Sequence, residues 1–141
     1  MAKGQDTTTL SAQEKAALRE RTRELKAAKK GAEAEQAVLA AIAVLSEDER
    51  PLAERVHALI REAAPELAPR TWYGMPAYAK DGKVICFFKA ASKFDVRYAE
   101  LGFNEPANLD NGNMWPTAFA ITKVTAAEEK KILELVRTAA S

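Results

Sequence analysis

Residues 71–88 read TWYGMPAYAKDGKVICFF, and this stretch decides the fold. Asp81-Gly82 separates two short segments, 77–80 and 83–89, that are dense in strand formers. Both turn residues tolerate positive φ, which a type I′ hairpin requires, so the spacing predicts two antiparallel strands joined by a two-residue turn. In the second strand Val84, Cys86 and Phe88 alternate with Ile85 and Phe87. Both faces are apolar, which predicts a central strand covered on each side. Upstream, Gly74 lets the chain bend and Pro76 forces Met75 into extended backbone, predicting a kinked strand start over 72–78.

Toward the C-terminus, KFDVRYAE (93–100) places Phe94, Val96 and Tyr98 in alternation with Asp95 and Arg97, the pattern of a strand with one wet face. A loop rich in Asn, Asp and Gly (102–116) leads to TAFAITKV (117–124), the last predicted strand. Within that loop NLDNGNMW (108–115) is loosely like a calcium loop but arrives at Phe119 where the twelfth position needs an acid, so it is turn chemistry. Thr125-x-x-Glu128 is a capping box that opens a closing helix, whose buried side is Ile132, Leu133, Leu135, Val136 and Ala139.

Toward the N-terminus the pattern is helical. Leu52, Val56, Leu59, Ile60 and Ala63 form one apolar stripe, started by Ser46-x-x-Glu49 and ended by Pro65 and Pro69. Pro51 requires the true start to lie a residue or two after Ser46. Val38, Leu39, Ile42 and Leu45 give the preceding segment a face to bury, whereas from Ser11 to Lys30 the apolar positions are mostly alanine. Ser11-x-x-Glu14 caps that first helix, and Gly31 is placed to cap or bend it. Residues 1–10 are polar and Thr-rich, the composition of a disordered terminus. Helices first, then about five strands, then one helix, with no βαβ alternation, predict an α+β two-layer α/β sandwich: a mainly antiparallel sheet with helices on one face. An N-terminal helical arm (1–31) precedes the single α+β domain (32–141).

A chain of 141 residues is long enough for one self-sufficient core. Its 48% hydrophobic and 29% charged content argues against wholly disordered and membrane classes. No apolar run is long enough to span a bilayer and the first residues lack a secretory pattern, so the expected location is cytoplasmic. Cys86 is the single cysteine and lies in an apolar run, the setting of a small buried hydrophobe. Net charge is +1, yet residues 1–31 carry eight Lys/Arg against four Asp/Glu, while the rest carry thirteen against sixteen. The basic arm suits either a solvated helical extension or contact with nucleic acid, and its alanine-rich surface offers a route to a homodimer.

Chemistry-bearing motifs are sparse. There is no P-loop, dinucleotide fingerprint, paired metal-ligand Cys/His motif or nucleophile elbow, and one histidine, His57, does not furnish a triad or a His-rich metal site. His57 follows Val56 at the margin of the apolar stripe, as a hydrogen-bonded border residue or as a general base or ligand facing a groove. Glu47, Asp48, Glu49 and Glu54 form an acidic cluster that suits a weakly held hard cation, although the helix dipole explains the first three without a metal. Trp72, Tyr73, Met75 and Tyr78, with Trp115 from the long loop, have the composition of a small-ligand pocket and also of a core, and Lys89 or Lys93 is placed to orient an anion.

Four features together resemble the YdhG-like bacterial domain: YGMPAY (73–78), KDGKVICFFK (80–89), SKFDVRY (92–98) and the capped C-terminal helix. The resemblance covers about residues 35–140 and leaves the basic arm outside. It implies a compact fold with a curved antiparallel sheet. Most of that family is of unknown function, and one branch is described as frataxin-like and linked to intracellular iron delivery. Iron is thus a cofactor implied by the resemblance alone, with Glu47, Asp48, Glu49 and Glu54 as the matching acidic set. No catalytic residue carries over. The reading that results is a non-enzymatic small-ligand carrier or interaction module, with an iron-binding chaperone and a nucleic-acid partner as alternatives.

Overall fold

The structure, a computed structural model, describes residues 11–141. Its elements in chain order are α1 (Ala12–Ala43), α2 (Arg50–Ala63), β1 (Ala68–Trp72), β2 (Met75–Lys80), β3 (Lys83–Lys89), β4 (Ala99–Phe103), β5 (Ala118–Ile121) and α3 (Ala126–Ala140). The chain divides at Glu33/Ala34 into two units. In the first, residues 11–33 are exposed along their whole described length, and α1 continues through Gly31 without a break. Nothing at Gly31 forces a stop: a Cβ there would meet no atom within 4 Å, and the residues on either side are good helix formers.

In the second unit the five strands pair in sequence order, each antiparallel to the next. The sheet is curved and does not close. The α+β expectation therefore holds, with β3 in the centre as its two apolar faces require. One face of the sheet carries Tyr78, Cys86, Phe88, Leu101, Phe103 and Ile121 into a single core with Val38 and Ile42 of α1, Val56, Leu59 and Ile60 of α2, and Ile132 and Val136 of α3. Met75, Ala77, Ala79 and Val84 are buried too, but on the face away from the helices.

The Asp81-Gly82 turn forms as expected, with φ of 51° and 78°. Four other expectations change. First, 72–78 is not a kinked strand: Tyr73 and Gly74, at φ 51° and 75°, form a second two-residue turn with both φ positive, and Trp72 pairs with Met75 across it. Residues 68–72 become an extra edge strand, where Pro69 is tolerated because an edge residue need not donate to the ladder. Second, β3 does not alternate strictly. Ala79 pairs with Val84 and Tyr78 with Cys86, so Ile85 is a bulge residue. It joins Cys86 in the helix-side core, and Val84 shares the other face with Phe87.

Third, Phe94–Tyr98 is turn and bend, and the strand begins at Ala99. The backbone donors of Asp95 and Val96 are satisfied locally by Ser92 O at 3.3 Å and Ala91 O at 3.0 Å, and Asp95 sits at φ 51°, which no ladder accommodates. Fourth, Ser46 does not cap α2. Its carbonyl accepts from Glu49 and Arg50 in a turn, and the helix starts at Arg50, which leaves Pro51 in the first turn where it costs no hydrogen bond. The Thr125/Glu128 box does open α3, whose Ile132, Val136 and Ala139 are buried with Leu133 and Leu135 partly so. The expected disordered terminus, residues 1–10, lies outside the described residues. Among the described residues no helix is long and apolar enough to cross a membrane.

Candidate functional site

The seven residues proposed from sequence to meet a ligand do not share a cavity. Tyr73 is at the tip of the β1–β2 turn and 79% exposed. Trp72 lies on the open face of the sheet, its ring 4.9 Å from Tyr73 and 5.2 Å from Phe87 between centroids. Met75 shares that face and is 7% exposed. Lys93 is tied to the same turn, donating from Nζ to Gly74 O at 2.6 Å, while Lys89 sits 5.3 Å from the Phe94 ring centroid. Tyr78 points the other way. It is fully buried in the helix-side core, its hydroxyl 2.7 Å from His57 Nδ1. Trp115 is elsewhere again, beside a cavity of about 450 Å³ with Phe103, Asn104, Leu109 and Thr117. A two-residue turn sends consecutive side chains in different directions, which is why an aromatic cluster in sequence disperses in space.

The acidic set disperses as well. Glu49 spends both carboxylate oxygens on Ser92, accepting its N–H at 2.7 Å and its hydroxyl at 2.9 Å, which pins the start of α2 to the β3–β4 connection. Glu47 and Asp48 are exposed in the preceding turn, and Glu54 lies a turn into the helix. Among the described residues no group of three or more His, Cys, Asp or Glu side chains is arranged to hold a metal ion.

Sequence reading did not assemble one further arrangement, a cleft of about 410 Å³ between α3 and the β4–β5 edge. Its floor is apolar, built from Leu101, Phe119 and Ile121 of the strands and Ile132 and Leu135 of α3. Leu101 pairs with Phe119 across the ladder, so the two side chains lie on the same, helix-side face. Glu128, Lys131, Ile132 and Leu135 recur at helical spacing, which turns one flank of α3 toward that floor. Lys123 comes from the β5–α3 connection and Lys131 from the second turn of α3, and both border the cleft.

Charge at this mouth is uneven. Glu128 is committed to the helix start: its Oε1 accepts the Thr125 N–H at 2.8 Å and the Thr125 hydroxyl at 2.6 Å. The Thr125 hydroxyl, then its backbone N–H, and more weakly the Lys123 charge, hold the Glu128 carboxyl below its ordinary range. Lys123 and Lys131 form no ion pair among the described residues, and Lys131 Nζ rests 5.4 Å from the Phe119 ring centroid. Two cations thus stand over an apolar floor, the make-up of a pocket that fixes a ligand by one polar end. Comparison with protein-family models, curated proteins and solved structures returned no match.

Part of this cleft was legible. Alternation in TAFAITKV puts Phe119 and Ile121 on one face, and the Thr125 box places α3 directly after it. Lys123 and Lys131, eight positions apart on two element types, carry no sequence signal that joins them.

Proposed function

We propose that the domain is a non-enzymatic carrier that holds a small amphiphilic anion in the α3/β4–β5 cleft. One observation carries the reading: Lys123 and Lys131 border an apolar floor and form no ion pair among the described residues. A single carboxylate or phosphate head bound there gains charge-assisted hydrogen bonds, while an alkyl or aryl body covers Phe119, Ile121, Ile132 and Leu135. A neutral apolar ligand would leave the cations unused, and a compact inorganic anion would leave the floor wet. The lining groups bind and orient. The one hydroxyl–carboxylate pair in the lining, Thr125 and Glu128, is spent on capping α3, so retention rather than conversion suits the site.

Decanoate and decanol separate the contributions of head and tail in a thermal-shift titration of the full chain. Decanoate is expected to raise the melting temperature saturably, with a stabilisation of about 2.7 kcal/mol at a hundredfold excess over Kd. Decanol is expected to do little, and Lys123→Gln with Lys131→Gln should abolish the decanoate response. An equal response to decanol, or an unchanged response in the double variant, would end this reading.

A further inference from the structure

A third cavity, of about 300 Å³, lies between the C-terminal turns of α1 and the start of α2. Its six lining residues all belong to the second unit: Leu39, Ile42 and Ala43 on one wall, Arg50, Glu54 and His57 on the other. The three on α2 are spaced i, i+4 and i+7, which aligns them in one stripe along the groove. One wall is therefore apolar, and the other presents a cation, a carboxylate and an imidazole in succession.

The charged wall is left open for an occupant. Arg50 and Glu54 stand at the spacing where opposite charges on a helix pair, yet no ion pair joins them. Arg50 instead donates from Nη2 to Leu45 O at 3.4 Å, and its Nε is buried with no hydrogen-bond partner. With Nε closed off and Nη2 making one long hydrogen bond, the guanidinium keeps donors free to meet a carboxylate in the groove. Glu54 is exposed and takes part in no hydrogen bond or ion pair among the described residues. At His57 the tautomer follows from its neighbour. Tyr78 is wholly buried and Nδ1 is its hydroxyl's one partner among the described residues, so the O–H is satisfied only by donating to Nδ1 across 2.7 Å, which puts the imidazole proton on Nε2. That N–H is the ring's remaining donor.

We infer that this groove binds a free α-amino acid with an aliphatic side chain. The carboxylate meets the Arg50 guanidinium, the ammonium meets Glu54 one turn on, and the side chain covers Leu39, Ile42 and Ala43, with His57 at the far end of the groove. Each alternative wastes or opposes something: a fatty anion brings like charge toward Glu54, an amine brings it toward Arg50, and a neutral apolar molecule leaves both charges unmatched. The cavity lies at the small end of ligand pockets, which run from about 300 to 1,000 Å³, so the ligand is small. This site is separate from the α3/β4–β5 cleft and does not depend on it.

The test is a two-dimensional NMR titration of the full-length protein with L-leucine, N-acetyl-L-leucine and L-leucinamide. L-leucine is expected to give saturable shifts centred on Leu39, Ile42, Glu54 and His57. Removing either end charge of the ligand should weaken binding about tenfold or more, as should Glu54→Gln for leucine, the scale of one lost charged hydrogen bond. Glu54 is exposed and has no partner among the described residues, so that variant keeps the fold, which an unchanged urea midpoint would confirm. The inference is overturned by an absence of saturable shifts at millimolar L-leucine, by shifts that map away from the groove, or by equal affinity of the three ligands. Equal leucine affinity in Glu54→Gln would overturn it too.

Discussion

His57 on α2 and Tyr78 on β2 are joined by a 2.7 Å hydrogen bond through the helix–sheet interface, with their rings 5.7 Å apart between centroids. Tyr78 is wholly buried, so its hydroxyl has no water to turn to, and His57 is the partner that makes its burial tolerable. The bond ties the polar stripe of α2 to the central strands. It also makes the lone histidine of the chain a structural titrating group.

Stability should therefore depend on pH near neutrality. Burial, then the nearby Arg61 charge, lowers the His57 pKa below its ordinary 6.5, with Glu35 opposing more weakly. A base whose pKa is lowered on folding binds more protons when unfolded, so stability rises with pH between the folded and unfolded values. The contribution is fully present above about 6.5 and is lost as pH falls below it toward the lowered folded value. Urea midpoints of the wild type should fall over that window, and those of His57→Gln should change less. Parallel curves would place the pH dependence elsewhere.

Gly102→Ala should destabilise the sheet. Phe87 pairs with Gly102 on the open face, and a Cβ at 102 would sit 2.2 Å from Phe87 Cζ. The ring cannot yield freely, since Trp72 packs beside it at 5.2 Å. Overpacking of this kind costs about 1–3 kcal/mol, read as a lowered denaturation midpoint. Adding Phe87→Leu should restore part of the loss. If Gly102→Ala alone leaves the midpoint in place, the ring does not depend on the missing side chain.

Deleting residues 1–33 should leave the melting temperature of the remaining unit nearly unchanged. Every residue from 11 to 33 is exposed, and the buried core begins at Val38. Exposed positions away from such a core change stability by about 0.5 kcal/mol or less each. Calorimetry on the full chain and on residues 34–141 checks this, and a large drop would mean that the arm contributes to the fold.

Some of this fold was legible because it rests on near neighbours in sequence. Asp81-Gly82 specifies its own hairpin, since both residues accept positive φ at small cost. Thr125 and Glu128 find each other within one turn, and the stripe from Val56 to Ile60 needs only the helical period to declare its buried side. The apolar run of residues 84–88 predicted a central strand covered on both faces; β3 is central, but the helices cover one face only, and on the other Phe87 packs beside Trp72 of the same sheet.

The remaining features depend on contacts between residues far apart in the chain. Tyr73 is a poor residue for positive φ, so no local preference announces the turn it makes with Gly74; pairing of β1 with β2 imposes it. The bulge at Ile85 and the start of β4 at Ala99 instead of Phe94 are choices of register, made where Phe87 needs Gly102 opposite and Tyr78 needs His57 beneath. Both proposed sites join residues from separate elements: Lys123 with Lys131 and Phe119, Leu39 with Arg50 and His57. Sequence determines which side chains each element turns toward its neighbour, because that follows from backbone period. Which neighbour it meets is settled by long-range packing, and that is where both proposed sites arise.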